Sequence, residues 1–97
     1  MKNLWIDDLR PAPEGWLWAK TSQEAISLIE GNDAFGMISF DHDLGGDDTS
    51  RAVVLWLCEN EAKWPASAVV HSRNPVGAEW LNGMIGRYGV GCRLLRR

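Results

Sequence analysis

Ninety-seven residues with 13 acids, 10 bases and a formal net charge of −3 suffice for one domain, 1–97, and not for two. A hydrophobic fraction of 45% argues against disorder, two cysteines outside any C-x-x-C pair exclude a disulfide framework, and the acidic balance disfavours bulk nucleic-acid binding. No stretch approaches the roughly 20 apolar residues of a membrane span, and Asp7 and Asp8 fall where a signal peptide needs its apolar run, so a cytoplasmic protein without membrane association is expected.

The charge is uneven. Residues 1–48 carry −7 and residues 49–97 carry +4, which reads either as two solvated faces of opposite sign or as a hint of a partner.

In chain order, Asn3–Ile6 is a short apolar run ending at Asp7-Asp8. Pro11 and Pro13 make Leu9–Gly15 a loop, and Trp16–Lys20 is the second strand. Thr21-Ser22-Gln23-Glu24 fits a capping box opening a helix with Ala25, Ile26 and Ile29 on one face and Gly31 as its stop. Phe35–Phe40 is the third strand and ends at Asp41-His42-Asp43, before Gly45-Gly46. A long helix is predicted from about Thr49 to Lys63, with Val53, Trp56, Leu57 and Trp64 on its apolar side. Ala66–Val70 is the fourth strand, ending at His71-Ser72. Asn74-Pro75 reads as a cap with proline at the first helical position. The last helix carries Val76, Trp80, Leu81, Met84, Ile85 and Tyr88, Gly89 and Gly91 end it, and Cys92–Leu95 is a short fifth strand.

This alternation predicts an α/β protein with an open, mostly parallel sheet of about five strands. The link between the first two strands is short and proline-rich, so the first crossover helix is shortened or missing.

Three strands end in polar groups, and ligands of open parallel sheets bind outside the carboxyl ends of the strands. Each group has a plainer reading: Asp7-Asp8 as a loop start, Asp41 and Asp43 as turn chemistry, His71 as a hydrogen-bonded core histidine. Residues two apart on a strand share a face, so on a continued strand Asp41 and Asp43 face one ion while His42 points elsewhere, an alternation that need not hold past the strand end. Four carboxylates brought together call for a cation or a proton. An oxygen-rich set without cysteine suits Mg²⁺, Mn²⁺ or Ca²⁺, with a zinc site on His42 and His71 as the lesser alternative. Most of the six tryptophans read as core, and Trp16 and Trp18 as the candidates for base stacking. Cys58 reads as a small buried hydrophobe.

With LWIDDLRPAP (Leu4–Pro13), SFDHDLGG (Ser39–Gly46) and HSRNPVG (His71–Gly77) in view, the chain resembles a receiver domain of two-component signalling. It resembles more closely a divergent branch, the cyclic-phosphate-processing receiver domains. The resemblance implies a flavodoxin-like sheet of order 2-1-3-4-5. It implies metal binding by Asp7, Asp8 and Asp41, the last matching the phosphoacceptor of ordinary receivers, with Ser72 as the matching hydroxyl. Where a receiver has Lys-Pro after strand five, this chain has Cys92-Arg93-Leu94-Leu95, which argues against phosphorelay.

The activity so implied is a phosphoesterase assisted by a divalent cation, Mg²⁺ or Mn²⁺, acting on a cyclic or terminal phosphate of a nucleotide or RNA end. His42, His71, Ser72 and Asp43 are its catalytic candidates, because ring opening needs one group to activate water and another to protonate the leaving alkoxide. Arg10, Arg73 and Asn74 are the phosphate-binding candidates. The alternative is a non-enzymatic module that binds a nucleotide or a protein partner in a bacterial or phage regulatory system.

Overall fold

The computed structural model describes residues 1–96. Five strands form one parallel sheet: β1 (Asn3–Ile6), β2 (Leu17–Ala19), β3 (Met37–Phe40), β4 (Ser67–Val70) and β5 (Arg93–Leu95), in the order β2-β1-β3-β4-β5. Three helices alternate with them: α1 (Ser22–Glu30), α2 (Arg51–Glu59) and α3 (Pro75–Tyr88). The expected sheet order is present, and no helix joins β1 to β2.

The strand register sorts every strand residue onto one of two faces. Leu4, Ile38 and Ala68 align, as do Ile6, Ala19, Phe40 and Val70. This face is buried beneath the helices with Ala25, Ile29, Val53, Val54, Leu57, Leu81 and Ile85. The helices pack in one layer, α1 on α2 and α2 on α3. The opposite face carries the row Trp18, Trp5, Ser39, Val69 and Leu95. Extended by one pleat past the strand ends, that second face presents Asp7, Asp41 and His71, whose amides continue the ladder: Asp41 N donates to Ile6 O at 2.9 Å and His71 N to Phe40 O at 2.9 Å.

The capping box forms with a shift. Thr21 Oγ1 accepts from Glu24 N at 3.0 Å, and Glu24 reaches back to the Lys20 amide at 3.3 Å. A second clamp was not legible beforehand. Asp48 Oδ2 accepts from Ser22 N at 2.9 Å and Oδ1 from the Ser22 hydroxyl at 2.5 Å, pinning the loop after β3 to the start of α1. Asp48→Ala should therefore cost about 1 kcal/mol, the usual worth of a lost helix cap, measured as a lower urea midpoint.

The predicted helix 49–63 is shorter than expected. It ends at Glu59 and resumes as a single 3₁₀ turn, Glu61–Lys63. Asn60 causes the break: its backbone leaves the helical region at φ −131°, ψ 63°, and its side-chain Nδ2 donates to Trp56 O at 2.8 Å. The last helix begins as predicted, with Asn74 Oδ1 accepting from Gly77 N at 3.0 Å and Pro75 in the first position. Cys58 is half-buried rather than fully buried, and packs against the core edge. Among the described residues, no helix is long and apolar enough to cross a membrane.

Candidate functional site

The three strand ends meet. Asp7, Asp8, Leu9, Arg10, Asp41, Asp43, Gly45, Ser72, Arg73 and Asn74 line one open cleft of about 440 Å³, at the carboxyl edge of the sheet where the topology favours a ligand. The cleft brings together the seven non-histidine candidates beside Asp7, and neither histidine lines it.

Asp7 is fully buried. Its Oδ1 accepts from the amides of Leu9 and Arg10, both at 2.8 Å, and its Oδ2 lies 2.9 Å from His71 Nε2 and 3.5 Å from Arg10 Nε. Burial pushes the carboxyl up, but the two amides and His71 outweigh it and hold Asp7 below the usual carboxylate range. With Asp7 ionised, His71 Nε2–H is the donor of that contact.

His71 is buried on the same face. Ser39 Oγ stands 2.6 Å from its Nδ1, and Trp5 stacks on the ring at a centroid distance of 4.0 Å and an interplanar angle of 6°. The sheet explains this stack. Trp5 lies on β1 and His71 just past β4, with β3 between them. Ser39 is small enough for the indole and the imidazole to meet across it. Trp5 Nε1 donates to Arg10 O at 2.8 Å and Trp18 Nε1 to Asp7 O at 2.7 Å. Arg10 Nη2 donates to His71 O at 3.2 Å. These bonds hold the acidic loop after β1 in place. Trp16, set edge-on to Trp5 at 6.1 Å, and Trp18 are not among the residues that line the cleft.

Asp41 is half-buried and accepts from its neighbour's amide, His42 N, at 3.0 Å. Burial, then the charge of Asp7, raises its pKa against the opposing pull of the His42 amide, Arg10 and the Ser72 hydroxyl. Ser72 Oγ also accepts from Asn74 N at 3.0 Å, so this hydroxyl couples the start of α3 to Asp41. Asp43 is exposed. His42 Nδ1 lies 3.1 Å from its Oδ1, and Asn74 Nδ2 donates to its Oδ2 at 3.2 Å; these bonds, His42's the stronger, hold Asp43 below the ordinary range.

His42 points the other way, as the strand alternation predicts. It is buried against α3 and accepts at Nε2 from Arg51 Nε at 2.8 Å. A Cβ on Gly77 would stand 2.3 Å from His42 Cγ, so only glycine admits the imidazole. Alanine in a helix ordinarily gains up to about 1 kcal/mol over glycine. Here the clash reverses the sign, and Gly77→Ala should lose roughly 1–3 kcal/mol, read by chemical denaturation.

Gly45 and Gly46, both at positive φ (90° and 56°), turn the chain sharply after β3. The loop closes on itself through Leu44 N to Asp48 O at 3.0 Å and Ser50 N to His42 O at 2.9 Å, which returns the chain to α2 with Asp41 and Asp43 left on the cleft wall.

Asp7, Asp41 and His71 each offer a ligand atom within 4.8 Å of the others, and this group could hold a metal ion. It differs from the expected set of Asp7, Asp8 and Asp41 by the exchange of Asp8 for His71, with Asp8 on the adjoining wall. The donors fit a cation: Asp41 is held near the charge of Asp7, which a cation or proton relieves. Ser39, Arg51 and Gly77 had no role in the sequence reading. Their partners are 32, 9 and 35 positions away, and only the strand parity of Ser39, two residues before Asp41, placed any of them on a shared face.

No curated protein and no solved structure matches the chain. The family model of the cyclic-phosphate processing receiver domain does match it, over residues 2–87, a span that holds all ten cleft residues and both histidines; the chain therefore belongs to that family.

Proposed function

We propose that the cleft opens a cyclic phosphate to a monoester, on a nucleotide or on the end of an RNA strand, with the help of Mg²⁺ or Mn²⁺. The observation that carries this reading is the pairing, in one cleft, of a carboxylate cluster that could hold a cation with two arginines suited to an anion.

Asp7, Asp41 and His71 would hold the ion, with Asp8 beside them. The ion supplies Lewis acidity at a phosphoryl oxygen. Arg10 and Arg73 neutralise the remaining phosphate oxygens, and Asn74 borders them at the start of α3. Ring opening forms a P–O bond to water and breaks the P–O bond to the ring alkoxide. The water's proton passes to Asp43, the ionised carboxylate on the cleft wall, and the alkoxide takes its proton from solvent in the open cleft. Ser72 orients Asp41. In this reading His42 acts through Asp43, the carboxylate it bonds, without touching substrate, and His71 would take the ion at Nε2 by carrying its ring hydrogen on Nδ1, where Ser39 Oγ can accept it.

Incubating the protein with Mg²⁺ or Mn²⁺ and a panel of 2′,3′-cyclic and 3′,5′-cyclic nucleotides tests the proposal. Metal-dependent conversion of at least one member to a monoester is expected. Folded, metal-loaded protein that converts none of them refutes the enzymatic reading for that panel.

One observation favours the alternative of a binding module: both nitrogens of each histidine already have protein partners. Under that reading nucleotide binds without product, and His42→Ala and His71→Ala leave its affinity unchanged.

A further inference from the structure

Behind Asp43 runs a chain of contacts leading away from the cleft to the outer face of the helices. Arg51, the first residue of α2, donates Nε–H to His42 Nε2 at 2.8 Å. A guanidinium has donors only, so Nε2 is the acceptor and the neutral ring carries its hydrogen on Nδ1. That hydrogen points to Asp43 Oδ1 at 3.1 Å. Free histidine favours the other tautomer, with hydrogen on Nε2, so the protein selects the less favoured form.

Arg51 is itself held. Its Cζ lies 4.8 Å from the centroid of the Trp80 ring on α3, a cation–π contact that holds the guanidinium within hydrogen-bond reach of the imidazole. Gly77, one turn before Trp80, leaves the space that His42 occupies. Asp43 completes the frame by accepting from Asn74 Nδ2 at 3.2 Å. Both helices therefore converge on the orientation of one cleft carboxylate, through a ring that never reaches the cleft.

We propose that Arg51 is a positioning residue: held by Trp80, it locks His42 as the Nδ1–H tautomer, and that tautomer aims the Asp43 carboxylate into the cleft. The kinetic consequence rests on the ring-opening reading above. The tautomer lock does not.

The test uses the full chain labelled with ¹⁵N and ¹³C. Long-range ¹H–¹⁵N spectra should show His42 with a protonated Nδ1 and an unprotonated Nε2. Arg51→Met keeps an apolar stem out to the position of Nε and removes the guanidinium with its donors. It should convert His42 to the Nε2–H form or to a mixture, and shift the Asp43 carboxyl ¹³C resonance. Arg51→Lys, which keeps a donor, should restore most of the Nδ1–H form. In turnover, Arg51→Met should lower kcat about tenfold, the scale of an outer-shell contact, with KM within about twofold and partial recovery in Arg51→Lys. If Arg51→Met does not fold, Trp80→Leu replaces it and should give a partial loss of the Nδ1–H form. A wild-type ring protonated at Nε2 overturns the proposal, and so does a tautomer unmoved by the variant. A tautomer change that leaves both the Asp43 resonance and kcat unaltered overturns the aiming role. Should the wild type open no cyclic phosphate, the ring-opening reading fails, while the spectra still decide the lock.

Discussion

Asp41→Asn should cripple ring opening while making the metal-free protein more resistant to heat. The two effects share one cause. Asp41 stands half-buried near the negative charge of Asp7, and its pKa is raised by burial first and by that charge second. An acid whose folded pKa exceeds its unfolded value binds its proton more tightly in the native state. Its ionised form therefore costs stability at neutral pH, and the cost disappears as pH falls through the folded pKa. Asparagine keeps the shape and removes the charge, so the Tm in chelator should rise by about 2–5 °C. The same change replaces one of the three carboxylate or imidazole donors able to hold a cation with a neutral amide oxygen, and turnover should fall on the order of 10²-fold or more. Thermal melts with and without Mn²⁺ check both halves. The wild type should gain more from the metal than the variant does. A variant that melts earlier than wild type in chelator would contradict the electrostatic account.

Asp7→Ala should be the most destabilising change in the site, at roughly 3–5 kcal/mol. It orphans the Leu9 and Arg10 amides and leaves buried His71 without its carboxylate. The pH dependence distinguishes this from a packing loss. Asp7 has its folded pKa below the ordinary aspartate value, against its burial and because of the Arg10 and Leu9 amides and His71. Its contribution is fully present above the unfolded pKa and is lost as pH falls through the folded one. Urea unfolding should therefore show wild-type stability dropping below about pH 4, with Asp7→Asn flattening that acid limb. An equally steep limb in the variant would assign the acid sensitivity elsewhere.

The parts of this architecture that follow period and punctuation could be read from the chain. Apolar runs ending in Asp7-Asp8, Asp41-His42-Asp43 and His71-Ser72 defined the strands and their ligand-facing ends, and the two-residue alternation sent His42 away from Asp41 and Asp43. The length of α2 could not be read, because Asn60 breaks the helix through a side-chain bond to Trp56 O that leaves no trace in the hydrophobic pattern. The cradle of His71 was equally hidden. Ser39 and Trp5 serve it only because β1, β3 and β4 are neighbours, and a serine within SFDHD looks like any strand residue. The histidines were legible as site residues by proximity alone. That their rings lie behind the carboxylates depends on Arg51, Gly77 and Ser39, contacts made through space.

Everything in the functional account depends on one cleft holding a cation and a phosphate side by side. A crystal structure of the protein with Mn²⁺ and a 2′,3′-cyclic nucleotide tests this most directly. The account predicts an anomalous peak among Asp7, Asp41 and His71, with the phosphate, cyclic or already opened, on Arg10 and Arg73. An ion bound elsewhere, or a nucleotide seated outside the cleft, would contradict it.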